Sequence, residues 1–301
     1  MFLPQYFANI ICMTDLGTNV KSTHKGKVAA QFLCYWKQQL AGATNRLELP
    51  TDHPRSAAGK NPTAIFQFTI PAICCESLNS LCNEYDASLY MILLSAFNML
   101  LYRYTDQTDI VIGYHNSSHP INDGTRFTGP PGTMVPTRIN LSGNPSFPEL
   151  LLRVREVAIA ANEHMDLPVK VLKESLAEIE GQHQGPLFQV IFAFRNNVVP
   201  GMGNYASPPG FQRSYNKSAD TDLALSLENT SNGVNGLLEY NSDLFEADTI
   251  MRMANHFRNL IDGIAATPLQ TIAQITMLDE SERHKLIVEW NDTRASYPED
   301  K

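Results

Sequence analysis

Hydrophobic and polar positions divide the chain into segments of clear period. Between Val28 and Leu40, Phe32, Leu33, Tyr35, Trp36 and Leu40 form a broad apolar stripe, predicting a helix. Residues 41–62 hold Gly42, Pro50, Pro54, Gly59 and Pro62 and read as loop. Phe66, Phe68 and Ile70 alternate with Gln67 and Thr69, the period of a half-buried strand, and Pro71 ends it. Helices follow over 72–85 and 88–104, the second apolar nearly all round and therefore central. Ile110, Val111 and Ile112 form a short unbroken apolar run, as in a strand covered on both faces.

A polar loop is expected over 114–132, then a strand near 133–141. Ser146 and Glu149 have capping-box spacing ahead of a helix marked by Leu150, Val154, Val157, Ala158 and Ala161. Leu187 to Phe194 reads as a further buried strand, and residues 197–210 as Gly/Pro-rich loop. Leu223, Leu225 and Leu227 alternate ahead of Asn232-Gly233, and the run from Gly236 to Tyr240 completes a hairpin signal. Asp243 and Glu246 are placed to cap a long last helix bearing Ile250, Met253, Phe257, Leu260 and Ile264. Strands and helices in this order predict an α/β fold, a central mixed β-sheet flanked by helices.

Composition narrows the function classes. Lys and Arg number 23 against 31 Asp and Glu, so the net charge of −8 argues against a nucleic-acid surface. The richest apolar run, Met91 to Tyr102, is interrupted by Ser95 and Asn98 and is too short to span a bilayer. No positive region precedes Phe2-Leu3 and Pro4 follows at once, so a secretory signal is not visible and a cytoplasmic location is expected. Cys12, Cys34, Cys74, Cys75 and Cys82 contain no C-x-x-C pair and read as buried reduced thiols rather than a metal site.

Several segments together resemble a known family. They are Tyr35-Trp-Lys-Gln-Gln-Leu-Ala-Gly42, Leu47-Glu-Leu-Pro-Thr-Asp-His-Pro-Arg55 and Tyr104-Thr-Asp-Gln-Thr-Asp-Ile-Val-Ile-Gly113. Leu141 to Phe147, His164-Met-Asp-Leu-Pro168, Pro186 to Val190, Leu238 to Phe245 and Glu289-Trp-Asn-Asp-Thr293 continue the series. In order and spacing they resemble the condensation domain of nonribosomal peptide synthetases, over residues 28–298. Such domains resemble chloramphenicol acetyltransferase doubled into two lobes. The first lobe carries the catalytic H-H-x-x-x-D-G motif, and this chain resembles the second, C-terminal lobe alone.

The resemblance implies a lead-in over 1–27, the lobe over 28–278, and a terminal helix and linker over 279–301 like that leading into an adenylation domain. It implies amide-bond formation between thioesters held on the phosphopantetheine arms of peptidyl carrier proteins, with no cofactor bound by this chain itself. The expected partners are the N-terminal condensation lobe, carrier proteins and an adenylation domain, with no nucleic acid and no membrane. Without the family base, the chain is expected to be inactive alone. A non-catalytic docking module is the alternative, and a standalone acyltransferase using His119 is a third reading.

Individual motif positions carry both a functional and a structural reading. His164, Asp166 and Pro168 resemble the family's H-Q-D-x-P-F-E motif, with Met165, Val169 and Lys170 departing from it. The His164–Asp166 pair is suited to tuning a proton, or else to ending one helix before Pro168 starts the next. Gly129 to Arg138 aligns with a stretch resembling G-F-F-V-N-T-L-V-L-R, with Pro130 and Pro131 replacing an aromatic pair and Arg138 kept. His119, Asp123 and Gly124 match H-x-x-x-D-G without its first histidine. Asp222, before Leu223, resembles an F-D-L element and reads as an acceptor at a strand start.

Overall fold

A computed structural model describes residues 24–43, 46–55, 62–116, 134–165, 167, 169–180, 186–196 and 221–291. Its order is α1 (His24–Leu40), β1 (Thr63–Pro71), α2 (Ala72–Glu84), α3 (Leu89–Thr105), β2 (Asp109–Asn116), β3 (Met134–Asn140), α4 (Phe147–Glu163) and α5 (Val169–Glu180). There follow β4 (Val190–Asn196), β5 (Leu223–Thr230), β6 (Gly233–Asn241), α6 (Ala247–Ala266) and α7 (Glu280–His284), the last running into a π-turn over Lys285–Glu289.

The six strands form one mixed sheet in the order β1-β6-β5-β4-β2-β3. β2, β4 and β5 run parallel, and the other neighbouring pairs are antiparallel. The period-two pleat separates two faces. Ile110, Ile112 and Tyr114 of β2, Phe192 of β4, Leu225 of β5 and Leu238 of β6 meet α2, α3, α4 and α6 in the main core. Val111 faces the other way and joins Leu33, Trp36 and Leu40 of α1 and Leu172 of α5 in a second, smaller core.

α3 occupies the place its composition predicts, buried from Tyr90 through Leu101. Ser88 caps it by accepting from the Met91 N–H, and its two interior polar residues turn back on the helix. Ser95 Oγ donates to Met91 O and Asn98 Nδ2 to Leu94 O. Both side-chain donors are thus satisfied within the helix itself. At α4, Glu149 Oε2 accepts from both the backbone N–H and the hydroxyl of Ser146, which holds the carboxyl below its usual range.

Three expectations are corrected. The loop expected from 114 begins later, because β2 pairs with β3 and β4 through His115 and Asn116 respectively. The fourth strand starts at Val190 rather than Leu187. Leu187 and Phe188 belong to the second core, and the Gln189 side chain accepts from the Leu47 N–H. At α6, Glu246 holds the N-cap position but makes no side-chain cap bond. Asp52 supplies it from a distant loop, accepting from the Glu246 N–H and from Thr249 Oγ1.

Candidate functional site

The residues singled out by motif divide between structural roles and undescribed segments. His119, Asp123, Pro130, Pro131, Asp166 and Pro168 lie outside the described residues. Arg138 is wholly engaged within the fold. Its Nε and Nη2 donate to the two oxygens of Asp109 at 2.8 and 2.7 Å. Its Nη1 donates to the carbonyls of Gln39 and Ala41 at 2.9 and 2.8 Å. A cation on the last carbonyls of a helix satisfies acceptors that have no partner inside it. Arg138 therefore clamps the end of α1 to the β2–β3 pair.

His164 is the C-cap residue of α4. Its Nδ1–H donates to Ala160 O at 2.7 Å, and its own carbonyl accepts from Trp36 Nε1 at 2.9 Å. The ring stacks on Tyr35 with centroids 3.8 Å apart and an interplanar angle of 11°. Burial, with Glu163 adding to it, pushes the Tyr35 hydroxyl up to about 12. These contacts favour the structural reading: His164 joins α1 to α4.

Asp222 accepts from Arg55 through both carboxylate oxygens, from Nη1 to Oδ1 at 2.8 Å and from Nη2 to Oδ2. Its N–H donates to Gln189 O, and its carbonyl accepts from the Asn241 N–H. The side chain thus accepts from a guanidinium 167 positions away rather than from nearby backbone, a structural role with a distant partner.

A different group of side chains converges at the carboxyl ends of the three parallel strands. Across β2, β4 and β5, Ala193 is paired with both His115 and Ser226, and Arg195 with Glu228. His115, Arg195 and Glu228 therefore share the sheet face opposite the main core. His115 and Glu228 are 2% and 4% exposed. Arg195 Nη1 lies 3.8 Å from Glu228 Oε1. Burial, and then the Arg195 charge, lower the His115 imidazole to about 4, so it is uncharged at neutral pH. On the other face of the same rim, Asn229 Nδ2 donates to Asn196 Oδ1 at 3.0 Å. Pattern reading hides His115 inside the expected polar loop. Its signal is the alternation Val111, Gly113, His115, which continues the strand. Among the described residues, no three His, Cys, Asp or Glu side chains are grouped to hold a metal ion, and no helix is long and apolar enough to cross a membrane.

A helix-flanked mixed sheet of this order defines an α/β fold of the chloramphenicol acetyltransferase-like class. The chain belongs to the condensation-domain family, whose model matches residues 20–287. Two linear gramicidin synthase proteins of Brevibacillus parabrevis are among its relatives. One is 38% identical over 285 residues, covering 92% of this chain and 5% of that protein. The other is 36% identical over 275 residues, covering 91% and 4% respectively. The chain thus spans about a twentieth of the length of these relatives. Among solved structures, the teicoplanin X-domain in complex with OxyB matches with TM-score 0.69 and 25% identity, over 85% of this chain and 57% of that one. A four-domain nonribosomal peptide synthetase shares the fold, with TM-score 0.68, 16% identity, and coverage of 84% of this chain and 20% of that one.

Proposed function

We propose that this chain is the C-terminal lobe of a condensation domain and takes part in amide-bond formation between aminoacyl and peptidyl thioesters on carrier proteins. The family match over residues 20–287 carries this reading. Two facts support the restriction to one lobe. H-H-x-x-x-D-G does not occur in the 301 residues, and the chain covers 57% of the matched X-domain chain. An α-amino group titrates near 8, so a useful fraction is neutral at cellular pH. The remaining demand is to hold two reactants end to end and to orient the amine beside a base. In this reading the base comes from the N-terminal lobe and the present chain supplies the facing wall. Phosphopantetheine belongs to the carriers, and residues 279–301 lead toward an adenylation domain.

The test is amide formation from two loaded carrier proteins. The chain alone is expected to give no product, and addition of a matching first lobe is expected to give dipeptide. Product from the chain alone would overturn the one-lobe reading, and its loss in His119→Ala would favour a standalone acyltransferase. A second reading, a non-catalytic docking module, is favoured by one observation: the matched X-domain was solved in complex with another protein, OxyB. Carrier binding without product, even with the first lobe present, would support it.

A further inference from the structure

The two edges of the sheet are finished differently. β3 buries Val135, Pro136 and Thr137, packs against α4 and holds Arg138 on the carbonyls at the end of α1. A proline within the strand and a covering element are common protections of a sheet edge. β1 lacks both. Its nine residues carry no charged side chain, and its prolines stand only at the ends, Pro62 just before it and Pro71 as its last residue. The register shows which of its main-chain groups look outward. Ser242 N–H donates to Pro62 O, in line with the pairing of Thr63 and Asn241. Bonded and non-bonded pairs alternate along an antiparallel ladder, so Ala64, Phe66, Phe68 and Ile70 bond to β6. Ile65, Gln67 and Thr69 turn their N–H and C=O away from it. Among the described residues, none bonds to the main chain of these three. All three are exposed, Ile65 at 48%, and Ile73 at the start of α2 extends the apolar surface beyond the strand.

The strand is also complementary to itself. A twofold axis at Gln67 sets Gln67 opposite its own copy, Ile65 opposite Thr69 and Phe66 opposite Phe68. The three outward residues then exchange both main-chain bonds with their opposites, and the two Gln67 amides can bond across the axis. Phe66 and Phe68 fall at the non-bonded positions of the new ladder, where side chains approach most closely, and both are only half-buried in a single copy. Pro71 falls opposite Thr63 and has no N–H to give, so the ladder weakens only at its ends. Two chains of net charge −8 repel one another, yet no like charges meet across this edge.

We propose that β1 pairs antiparallel with β1 of a second copy of this chain, about a twofold axis at Gln67, joining two six-stranded sheets into one. Strand addition of this kind draws its affinity from main-chain bonds. An edge about 30 Å long and about 10 Å tall covers roughly 300 Å² on each copy. That is well below the area of a standard interface, so the dimer is weak and concentration-dependent. The proposed function plays no part in this inference.

The experiment is sedimentation velocity of the full 301-residue chain over a concentration series, joined to residue-resolved amide exchange. The sedimentation coefficient is expected to climb with concentration, and to climb further with added salt, which screens the repulsion between two acidic chains. At the concentrated end, the amides of Ile65, Gln67 and Thr69 should gain protection, while those of Ala64, Phe66 and Phe68 are protected throughout. Gln67→Lys and Gln67→Glu each set like charges opposite one another and should abolish the concentration dependence. Position 67 is exposed and its main chain faces away from β6, so both variants keep the fold. An equimolar mixture of the two should associate again, because the axis sets position 67 against itself. A chain that stays monomeric up to about 1 mM, the weak end of specific association, would overturn the proposal. So would association that Gln67→Lys leaves unchanged, or a mixture no more associated than either variant alone. Protection of the three outward amides by an added first lobe, without dependence on the chain's own concentration, would assign the edge to that lobe and overturn the second copy.

Discussion

His115 ties its environment to a measurable slope in stability. Its imidazole titrates near 4 in the folded chain, against an ordinary value of 6.5. Each pH unit of displacement is worth about 1.4 kcal/mol, so the difference of 6.5 − 4 amounts to at most about 3.5 kcal/mol. As pH falls through 6.5, the unfolded chain takes up the proton while the folded chain does not. Stability is therefore full above 6.5, declines between 6.5 and about 4, and loses nothing further from this group below that. Urea melts of the native chain and His115→Gln should diverge across this window, with the variant lacking that part of the slope. Parallel losses in the two proteins would show that another group carries the dependence. Arg55 and Asp222 make a second residue-scale case. The Asp222 side chain is 4% exposed and that of Arg55 is 34% exposed. Arg55→Ala leaves a buried carboxylate without its cation, and partial access to water moderates the penalty to roughly 2–3 kcal/mol. Arg55→Ala should cost more than the paired change with Asp222→Asn, a sign that thermal melts can read.

The helices and central strands are legible in the sequence because each satisfies its own period. α3 is the clearest case: twelve successive residues from Tyr90 to Leu101 are buried, and its two polar members bond within the helix. The α6 cap shows where local reading stops. Asp243 and Glu246 have the right spacing, yet the acceptor is Asp52, which lies 194 positions from Glu246. Asp52 is brought there by its own N–H and that of His53, both donating to Leu244 O. No spacing rule contains a loop-to-helix approach of that kind. Asp52→Ala should cost about 1 kcal/mol, as for loss of an N-cap, and should speed hydrogen exchange in the first turn of α6 before the rest of the helix. Exchange unchanged in that turn would remove Asp52 from the capping role. The β5–β6 turn, in contrast, is written locally in Asn232-Gly233. Gly233 has φ of 120°, and a Cβ there would collide with Ile70 O. Gly233→Ala combines an unfavourable backbone region with that collision against the neighbouring edge strand, a penalty of roughly 1–3 kcal/mol. The candidate site is the least legible part for the same reason as the cap. His115, Arg195 and Glu228 come from three separated segments, and only strand register brings them together.

At the scale of the whole molecule, the segment after α6 is joined to the rest of the fold by bonds from α3, from α6 and from the loop before α4. Arg103 Nη1 donates to the carbonyls of Ala273 and Ile275 at 3.0 and 3.1 Å, and Asn259 Nδ2 donates to Met277 O at 2.9 Å. Beyond them, Tyr104 Oη lies 2.7 Å from His256 Nδ1, and His256 Nε2 lies 2.7 Å from Glu282 Oε2. This Tyr–His–Glu series connects the last turn of α3, the middle of α6 and the start of α7. Burial, followed by the Glu282 charge, raises the Tyr104 hydroxyl far above its ordinary range, so it keeps its proton. With a neutral imidazole, the tyrosine O–H donates to Nδ1 and Nε2–H donates to the carboxylate. With a charged imidazole, both ring N–H groups donate, and the tyrosine oxygen accepts instead. The connection is complete in either form. Glu282→Ala removes the outer member without opening the main core, because Glu282 is a partly exposed side chain. It should raise amide exchange across 280–290 while leaving β4 and β5 protected, and Tyr104→Phe should do so more weakly. Glu282→Ala exchanging like the native chain would show that α7 is held by packing rather than by this series.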